Sequence, residues 1–133
     1  MISNLLSYYF KLLLMIPLAL TLSGCGIVIL GGAAAGTVGY VSGDLEATLE
    51  NPYDQVVAAI NRAIAENSIT EISKTEEKQQ ISYVLKTLQG DKVQLNAAYA
   101  TKELSNVSIR VGTFGDENLS REILNEIKSR LNN

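Results

Sequence analysis

The sequence has no histidine and no tryptophan, and it has one cysteine among 133 residues. Without histidine there is no imidazole base that titrates near neutral pH, and the commonest zinc ligand is missing. One cysteine cannot form an internal disulfide, so cysteine pairing says nothing about the redox compartment. These absences favour a protein that is not an enzyme and that holds no metal or cofactor.

Charged residues are almost absent from the N-terminus. Residues 1–24 contain one basic residue, Lys11, and no acidic residue. The apolar run at 12–22 follows Lys11 directly, and it is too short to cross a hydrocarbon core of about 30 Å as a helix. A basic flank, a short apolar middle and a small-residue end are typical of a signal peptide. We therefore predict that residues 1–24 are a signal peptide.

The end of this segment resembles a bacterial lipobox, with the residues Leu22, Ser23, Gly24 and Cys25. Small residues before the cleavage site let the backbone enter a peptidase cleft. The Cys25 thiol is the nucleophile to which the lipid is attached. Two or three acyl chains on one cysteine anchor a protein firmly. We predict cleavage before Cys25 and anchoring through its lipid. Gly26 follows, rather than the Asp of inner-membrane retention, which favours the outer membrane, facing the periplasm.

The mature chain is acidic. Removing residues 1–24 leaves ten basic and fourteen acidic residues, a formal charge of −4. This balance argues against nucleic acid and against anionic lipid headgroups as electrostatic partners. No motif indicates a small-molecule substrate.

Residues 25–43 contain the cysteine and a glycine-rich segment without charge. Gly32 and Gly36 form one G-x-x-x-G pair, and Gly39 and Gly43 form another, a spacing that lets helices approach closely in lipid. A membrane-inserted, self-associating segment is therefore one interpretation. Glycine in a helix costs roughly 1 kcal/mol relative to alanine, so an apolar tether is the favoured one.

Residues 44–133 have the patterns of one α+β domain. Alternating apolar residues predict strands within residues 45–50, 69–75, 81–86, 93–99 and 106–111. Asn51 as N-cap, with Pro52 at the first helical position, begins one amphipathic helix, and Asp116 or Asn118 caps a second. The order is β-α-β-β-β-β-α, and short links between the later strands indicate an antiparallel β-sheet. Because each element has one apolar side, we predict that both helices pack on one face of the sheet.

The opposite face of this predicted sheet is open. Its polar residues are Glu46, Thr48, Ser82, Lys86, Gln94, Asn96, Ser108 and Arg110, and Val84, Leu88 and Ala98 lie among them. Such a face is either the solvated side of an ordinary antiparallel sheet or a docking surface for an envelope protein or cell-wall partner. The candidate partner surface is Arg110, Lys86, Gln94 and Asn96. Arginine is enriched at interface hot spots, so an Arg110→Glu variant is expected to lose partners and keep its thermal stability.

Other candidate sites have simpler explanations. Asp116 and Glu117 could contact a cation, but acidic residues are common at a helix N-terminus. Tyr53, Tyr83 and Tyr99 fall at core-facing positions, so they are expected to be core residues. A serine–lysine or paired-carboxylate enzyme remains open, although no Ser-x-x-Lys stands at a helix start.

Several motifs together resemble a family of small bacterial lipoproteins catalogued as a domain of unknown function. They are the Ser-Gly-Cys lipobox, the Gly/Ala-rich stretch at 31–36, residues 43–48, Asn51-Pro52, and the run Val-Ser-Ile-Arg-Val-Gly-Thr-Phe-Gly-Asp at 107–116. The resemblance implies a lipid-anchored location and supports the α+β fold. It implies no activity.

Overall fold

The computed structural model describes Ile2, Leu5, Ser7 and residues 36–132. The predicted lipobox and residues 26–35 lie outside the described residues. None of the helices formed by the described residues is long and apolar enough to cross a bilayer.

Residues 36–132 form one antiparallel sheet and two helices. The strands are β1 (Val38–Val41), β2 (Asp44–Leu49), β3 (Thr70–Glu77), β4 (Gln80–Lys86), β5 (Lys92–Tyr99) and β6 (Ser105–Val111). Their spatial order is β1-β2-β6-β5-β4-β3. The helices are α1 (Tyr53–Glu66) and α2 (Glu117–Leu131). The predicted α+β fold is confirmed.

Strand β1 was not predicted, and it lies in a segment assigned to the tether. Ser42 and Gly43 connect β1 to β2, and both have positive φ, 53° and 94°. Positive φ at both central residues is the type I′ turn, whose twist suits a two-residue hairpin. Val38 pairs with Ala47 in this hairpin. The strand was missed because Gly39 interrupts its short apolar pattern.

Both helices pack on one face of the sheet, as predicted. The core-facing strand residues are Leu45, Ala47, Leu49, Ile81, Tyr83, Leu85, Val93, Leu95, Ala97, Val107, Ile109 and Val111. The helices contribute Val56, Ala59, Ile60, Ala63, Ile123, Leu124 and Ile127. This single apolar layer has two sources in the sequence. The strands alternate with a period of two, and each helix has an apolar stripe at helical spacing.

The ends of α2 follow the sequence signals. The Asp116 carboxylate accepts a hydrogen bond from the Leu119 amide at 3.0 Å, which makes it the N-cap. In the last turn, Arg130 forms ion pairs with Glu126 at 2.6 Å and Glu66 at 2.7 Å. The second pair links the C-terminal turns of both helices.

The start of α1 differs by one residue from the prediction. Pro52, rather than Asn51, holds the N-cap position, and no side chain caps the helix there. The Pro52 carbonyl still accepts the Val56 amide at 3.1 Å, so the first helical turn closes.

Candidate functional site on the open face

The candidate partner residues share the face of the sheet that the helices leave uncovered. Gln94 is the direct cross-strand partner of Arg110. Asn96 lies two residues further along β5, and Lys86 ends the neighbouring strand. The structure therefore brings the four residues onto one surface, and partner binding there stays a prediction. Leu88 is not on it, because it lies in the β4–β5 turn.

Small hydrogen-bonding side chains cross the open face in a row. Ser82 pairs with Asn96, Asn96 with Ser108, and Ser108 with Glu46, so one continuous line runs across β4, β5, β6 and β2. Hydroxyl and amide groups can both donate and accept hydrogen bonds. Within residues 36–132 no cluster of three or more acidic, histidine or cysteine side chains is placed to hold a metal ion. The row therefore presents hydrogen-bond donors and acceptors on the open face.

Arg110 has a structural role that the sequence did not indicate. Its guanidinium donates to both carboxylate oxygens of Asp44, at 2.9 and 2.5 Å, and to the Ser42 carbonyl at 3.0 Å. A bidentate arginine–carboxylate pair fixes geometry as well as charge. Arg110 thus fastens the end of β6 to the β1–β2 turn. Only 28% of its side chain is exposed, so little of it is free for a partner.

The ion pair changes the titration of Asp44. Hydrogen bonds from Arg110 are the main cause that lowers the pKa of the Asp44 carboxyl, and the positive charge of Arg110 adds to it. The same hydrogen bond raises the pKa of Arg110. Both groups are therefore held in their charged forms at neutral pH.

Two glycines bring this hairpin turn against the turn that follows β6. A Cβ on Gly43 would lie 2.7 Å from the Phe114 carbonyl oxygen. A Cβ on Gly115 would collide with the backbone of Gly43 and with the Tyr40 hydroxyl. Both glycines have positive φ, 94° and 85°. We call residues 41–44 and 110–115 together the turn junction.

The turn junction unites two of the sequence motifs, the one beginning at Gly43-Asp44 and the one ending at Gly115-Asp116. Sequence reasoning missed the contact, because nothing along the chain shows that Asp44 and Arg110 occupy adjacent places on neighbouring strands. The signals that could have indicated it are an acidic and a basic residue on the open face, each near a turn glycine. The motifs therefore have a structural reason to occur together.

Replacing Asp44 by Asn is expected to lower the thermal midpoint at neutral pH. Because the folded pKa of Asp44 lies below its unfolded value, the stabilisation is present above about pH 4 and is lost as the pH falls through the folded pKa. The midpoints of the wild type and Asp44→Asn should converge on acidification in thermal melts from pH 7 to pH 2. Arg110→Glu should lower the midpoint at pH 7 far more than Lys86→Glu, because Lys86 forms no ion pair with any other described residue. Equal midpoints for those two variants would contradict the structural role of the Arg110–Asp44 ion pair.

The tyrosines expected in the core differ in burial. Tyr83 is buried, its hydroxyl donates to the Asn61 side chain at 2.9 Å, and burial raises its pKa to about 12. Tyr53 is half-buried against the core, and burial is the main cause that raises its pKa. Tyr99 is 38% exposed, because it lies at the end of β5. The prediction that Tyr99 is a core residue was therefore wrong.

The fold and the open face define a small α+β domain with one candidate surface for hydrogen bonding. The chain belongs to the family described as Protein of unknown function (DUF3568), which matches residues 8–130. This match confirms membership in a family of unknown function, as the motifs predicted. A search of curated proteins found no match to the sequence.

Proposed function

We propose that this chain is a bacterial envelope lipoprotein, anchored to a membrane by lipid on Cys25. The observation that carries the proposal is the order of Leu22, Ser23, Gly24 and Cys25 directly after an apolar run. The family match begins at residue 8, so it extends over this segment. All residues of the sheet and of α1 and α2 follow the predicted cut. Gly26 after the cysteine favours the outer membrane and the periplasmic side.

The α+β domain acts as a non-catalytic binding or structural module. Its open face offers hydroxyl and amide groups to an envelope protein or a cell-wall partner. Lys86, Gln94 and Asn96 are the available contacts. Arg110 positions the turns beside them through Asp44. Surfaces of this composition suit a partner bound through many hydrogen bonds.

A second candidate is a membrane-active protein whose glycine-rich segment inserts and self-associates. The two G-x-x-x-G pairs are the observation in its favour. Gly39 lies in β1, however, and Gly43 lies in the hairpin turn. Gly36 has a φ of 81°, which is not helical. Residues 26–35 alone are shorter than the ~20 residues that a helical span requires. The tether is therefore the better supported interpretation.

Membrane fractionation of a variant without the lipid site tests the proposal. The triple variant Leu22→Ala, Gly24→Ala, Cys25→Ser replaces the lipobox with an A-x-A site, so that an ordinary signal peptidase can still cleave it. The wild type should float with membranes and resist alkaline extraction. The variant should be cleaved and released into the soluble periplasmic fraction.

The outcomes separate the two candidates. A cleaved variant that stays in alkali-washed membranes would support insertion of the glycine-rich segment. A wild type that is found in the soluble fraction would overturn both candidates.

A further inference from the structure

The last strand of the sheet, β3, has one edge that pairs with no other strand of the described residues. Its other edge pairs with β4, and the order of the sheet ends at β3. All eight of its residues are exposed, so neither helix buries it. The chain enters the sheet at the opposite edge, where the Gly36 amide donates to the Thr48 carbonyl at 2.9 Å. A free edge presents a row of backbone groups to which another strand can pair.

The hydrogen bonds of β4 determine which backbone groups of β3 face outward. Gln80 lies opposite Ala98 of β5. The Tyr99 amide donates to the Gln79 carbonyl at 2.9 Å. A bond between the residues that flank an antiparallel pair marks that pair as one that is not itself hydrogen-bonded. The N–H and C=O groups of Gln80 therefore point away from β5 and toward β3.

The same alternation continues on β3. Gln80 lies opposite Glu77, so these two residues form a hydrogen-bonded pair. Successive residues of a strand direct their backbone groups to opposite sides. Lys74 and Glu76 therefore direct theirs to the free edge. A register shift interrupts β3 just before residues 73–77, and these residues are the regular part of the edge.

The charges of β3 suit pairing with a second copy of the same strand. An antiparallel pair centred on Thr75 places Lys74 of each copy opposite Glu76 of the other. Both side chains lie on the helix side of the sheet, since they are opposite Tyr83 and Ile81 of the core. The four charges form a square whose sides join opposite charges and whose longer diagonals join like charges. Opposite charges and threonines that face each other directly stabilise a strand pair.

The other charged residues of β3 leave this register favourable. Glu77 lies opposite Ser73 of the second copy, and Glu71 lies beyond the register shift. The neighbouring registers with the same hydrogen bonding are centred on Lys74 or Glu76, and each places like charges directly opposite each other. Charges of this kind protect an edge against unselective pairing. Here they permit one register.

The strand as a whole is acidic, with three glutamates and one lysine. Two copies therefore repel each other at a distance, and salt at physiological strength screens that repulsion beyond ~8 Å. Within residues 36–132, neither Lys74 nor Glu76 takes part in an ion pair. Both charges are thus available to a second copy at contact.

We propose that β3 pairs with β3 of a second copy, so that the six strands of each copy join into one continuous antiparallel sheet. The same strand serves both partners, which is the self-complementary interface of a closed two-fold dimer. The two-fold axis passes through Thr75 perpendicular to the sheet. Both pairs of helices therefore lie on the same side of the joined sheet.

This inference rests on the proposed lipid anchor. One strand pair buries less than the ~1,200–2,000 Å² of a stable interface, so free domains should pair only transiently. Anchoring confines the domains to one surface and raises their effective concentration. The residues from Cys25 to Gly36 can span up to roughly 40 Å when extended, and six strands are only about 24 Å wide. Both anchors can therefore reach one membrane.

A cysteine at the two-fold axis tests the pairing. The Cα atoms of a pair that is not hydrogen-bonded are ~4.5 Å apart, which is within reach of a disulfide. Membranes from cells that express full-length Thr75→Cys are oxidised with copper phenanthroline, and a covalent dimer should appear on non-reducing gels. Ser73→Cys and Glu77→Cys should not form dimers alone, since each lies about 13 Å from its counterpart. Expressed together, those two variants should crosslink to each other.

A charge exchange tests the register. In the Thr75→Cys background, Lys74→Glu or Glu76→Lys should slow crosslinking about tenfold, because both opposed pairs become like-charged. Combining the two changes restores opposite charges and should restore the rate. Lys102→Glu makes the same change in the β5–β6 loop and should have no effect. Lys74 lies 5.6 Å from the centre of the Tyr83 ring, so circular dichroism checks folding, and Glu76→Lys tests the register without altering that contact.

Each result decides the proposal. No dimer of membrane-bound Thr75→Cys, equal crosslinking at positions 73, 75 and 77, or a disulfide from position 75 to a different protein would overturn self-pairing alone. The wild type controls for Cys25, whose sulfur is blocked by lipid in the proposed function. Wild-type protein that is soluble, or that crosslinks through a free Cys25 thiol, would overturn the anchor and the pairing that rests on it.

Discussion

Gly115→Ala should reduce the free energy of unfolding by about 2–5 kcal/mol, the sum of left-handed backbone strain and overpacking. Its φ is 85°, and a Cβ there would collide with the Gly43 backbone, which cannot rotate away as a flexible side chain can. Denaturant unfolding at pH 7 measures the change. The variant would disrupt the turn junction itself.

Two other glycines provide matched controls. Gly112 has a φ of 71° but open space around it, so Gly112→Ala should cost only the backbone strain, about 1–2 kcal/mol. Gly39 has open space and no positive φ, so Gly39→Ala should not destabilise the protein and should raise the free energy of unfolding by up to about 1 kcal/mol. Equal costs at positions 112 and 115 would show that the two turns do not touch.

Ile127→Ala should cost about 2–5 kcal/mol, because it removes buried methyl groups and leaves a cavity. Ile127 is fully buried in α2, where that helix packs on the sheet. Leu88→Ala is the matched apolar truncation at an exposed site, and it should cost less than about 0.5 kcal/mol. Chemical denaturation of both variants gives the comparison. A small cost at Ile127 would mean that α2 does not dock as described.

The main part of the fold could be predicted from local patterns. Strands β4, β5 and β6 alternate cleanly, and the apolar side of each is buried, so their common face follows from a period of two. Their antiparallel pairing follows from the short links between them. The first strand was missed, because four residues with a glycine among them carry too little pattern. β3 was predicted within residues 69–75, and all eight of its residues are exposed. Its charges are typical of a protected sheet edge.

The candidate surface could be located but not interpreted. Alternation places Gln94 and Arg110 on the same face, yet it does not reveal which residue lies beside them on the next strand. The register between β2 and β6 decides that Arg110 meets Asp44, and that register depends on turns and packing across 66 positions of the chain. The spacing along the chain placed Leu88 on the open face. This assignment was wrong, because β4 ends at Lys86 and Leu88 lies in the turn at residues 87–91. Long-range register is the information that local patterns lack.

Intact-mass analysis of the mature protein, purified from membranes, tests the anchoring proposal most directly. The expected species begins at Cys25 and has the added mass of a diacylglyceryl group, with or without a further acyl chain. Proteolysis should place that added mass on the N-terminal peptide. A mature protein that retains residues 1–24, or one that begins at Cys25 without acyl mass, would contradict lipid anchoring.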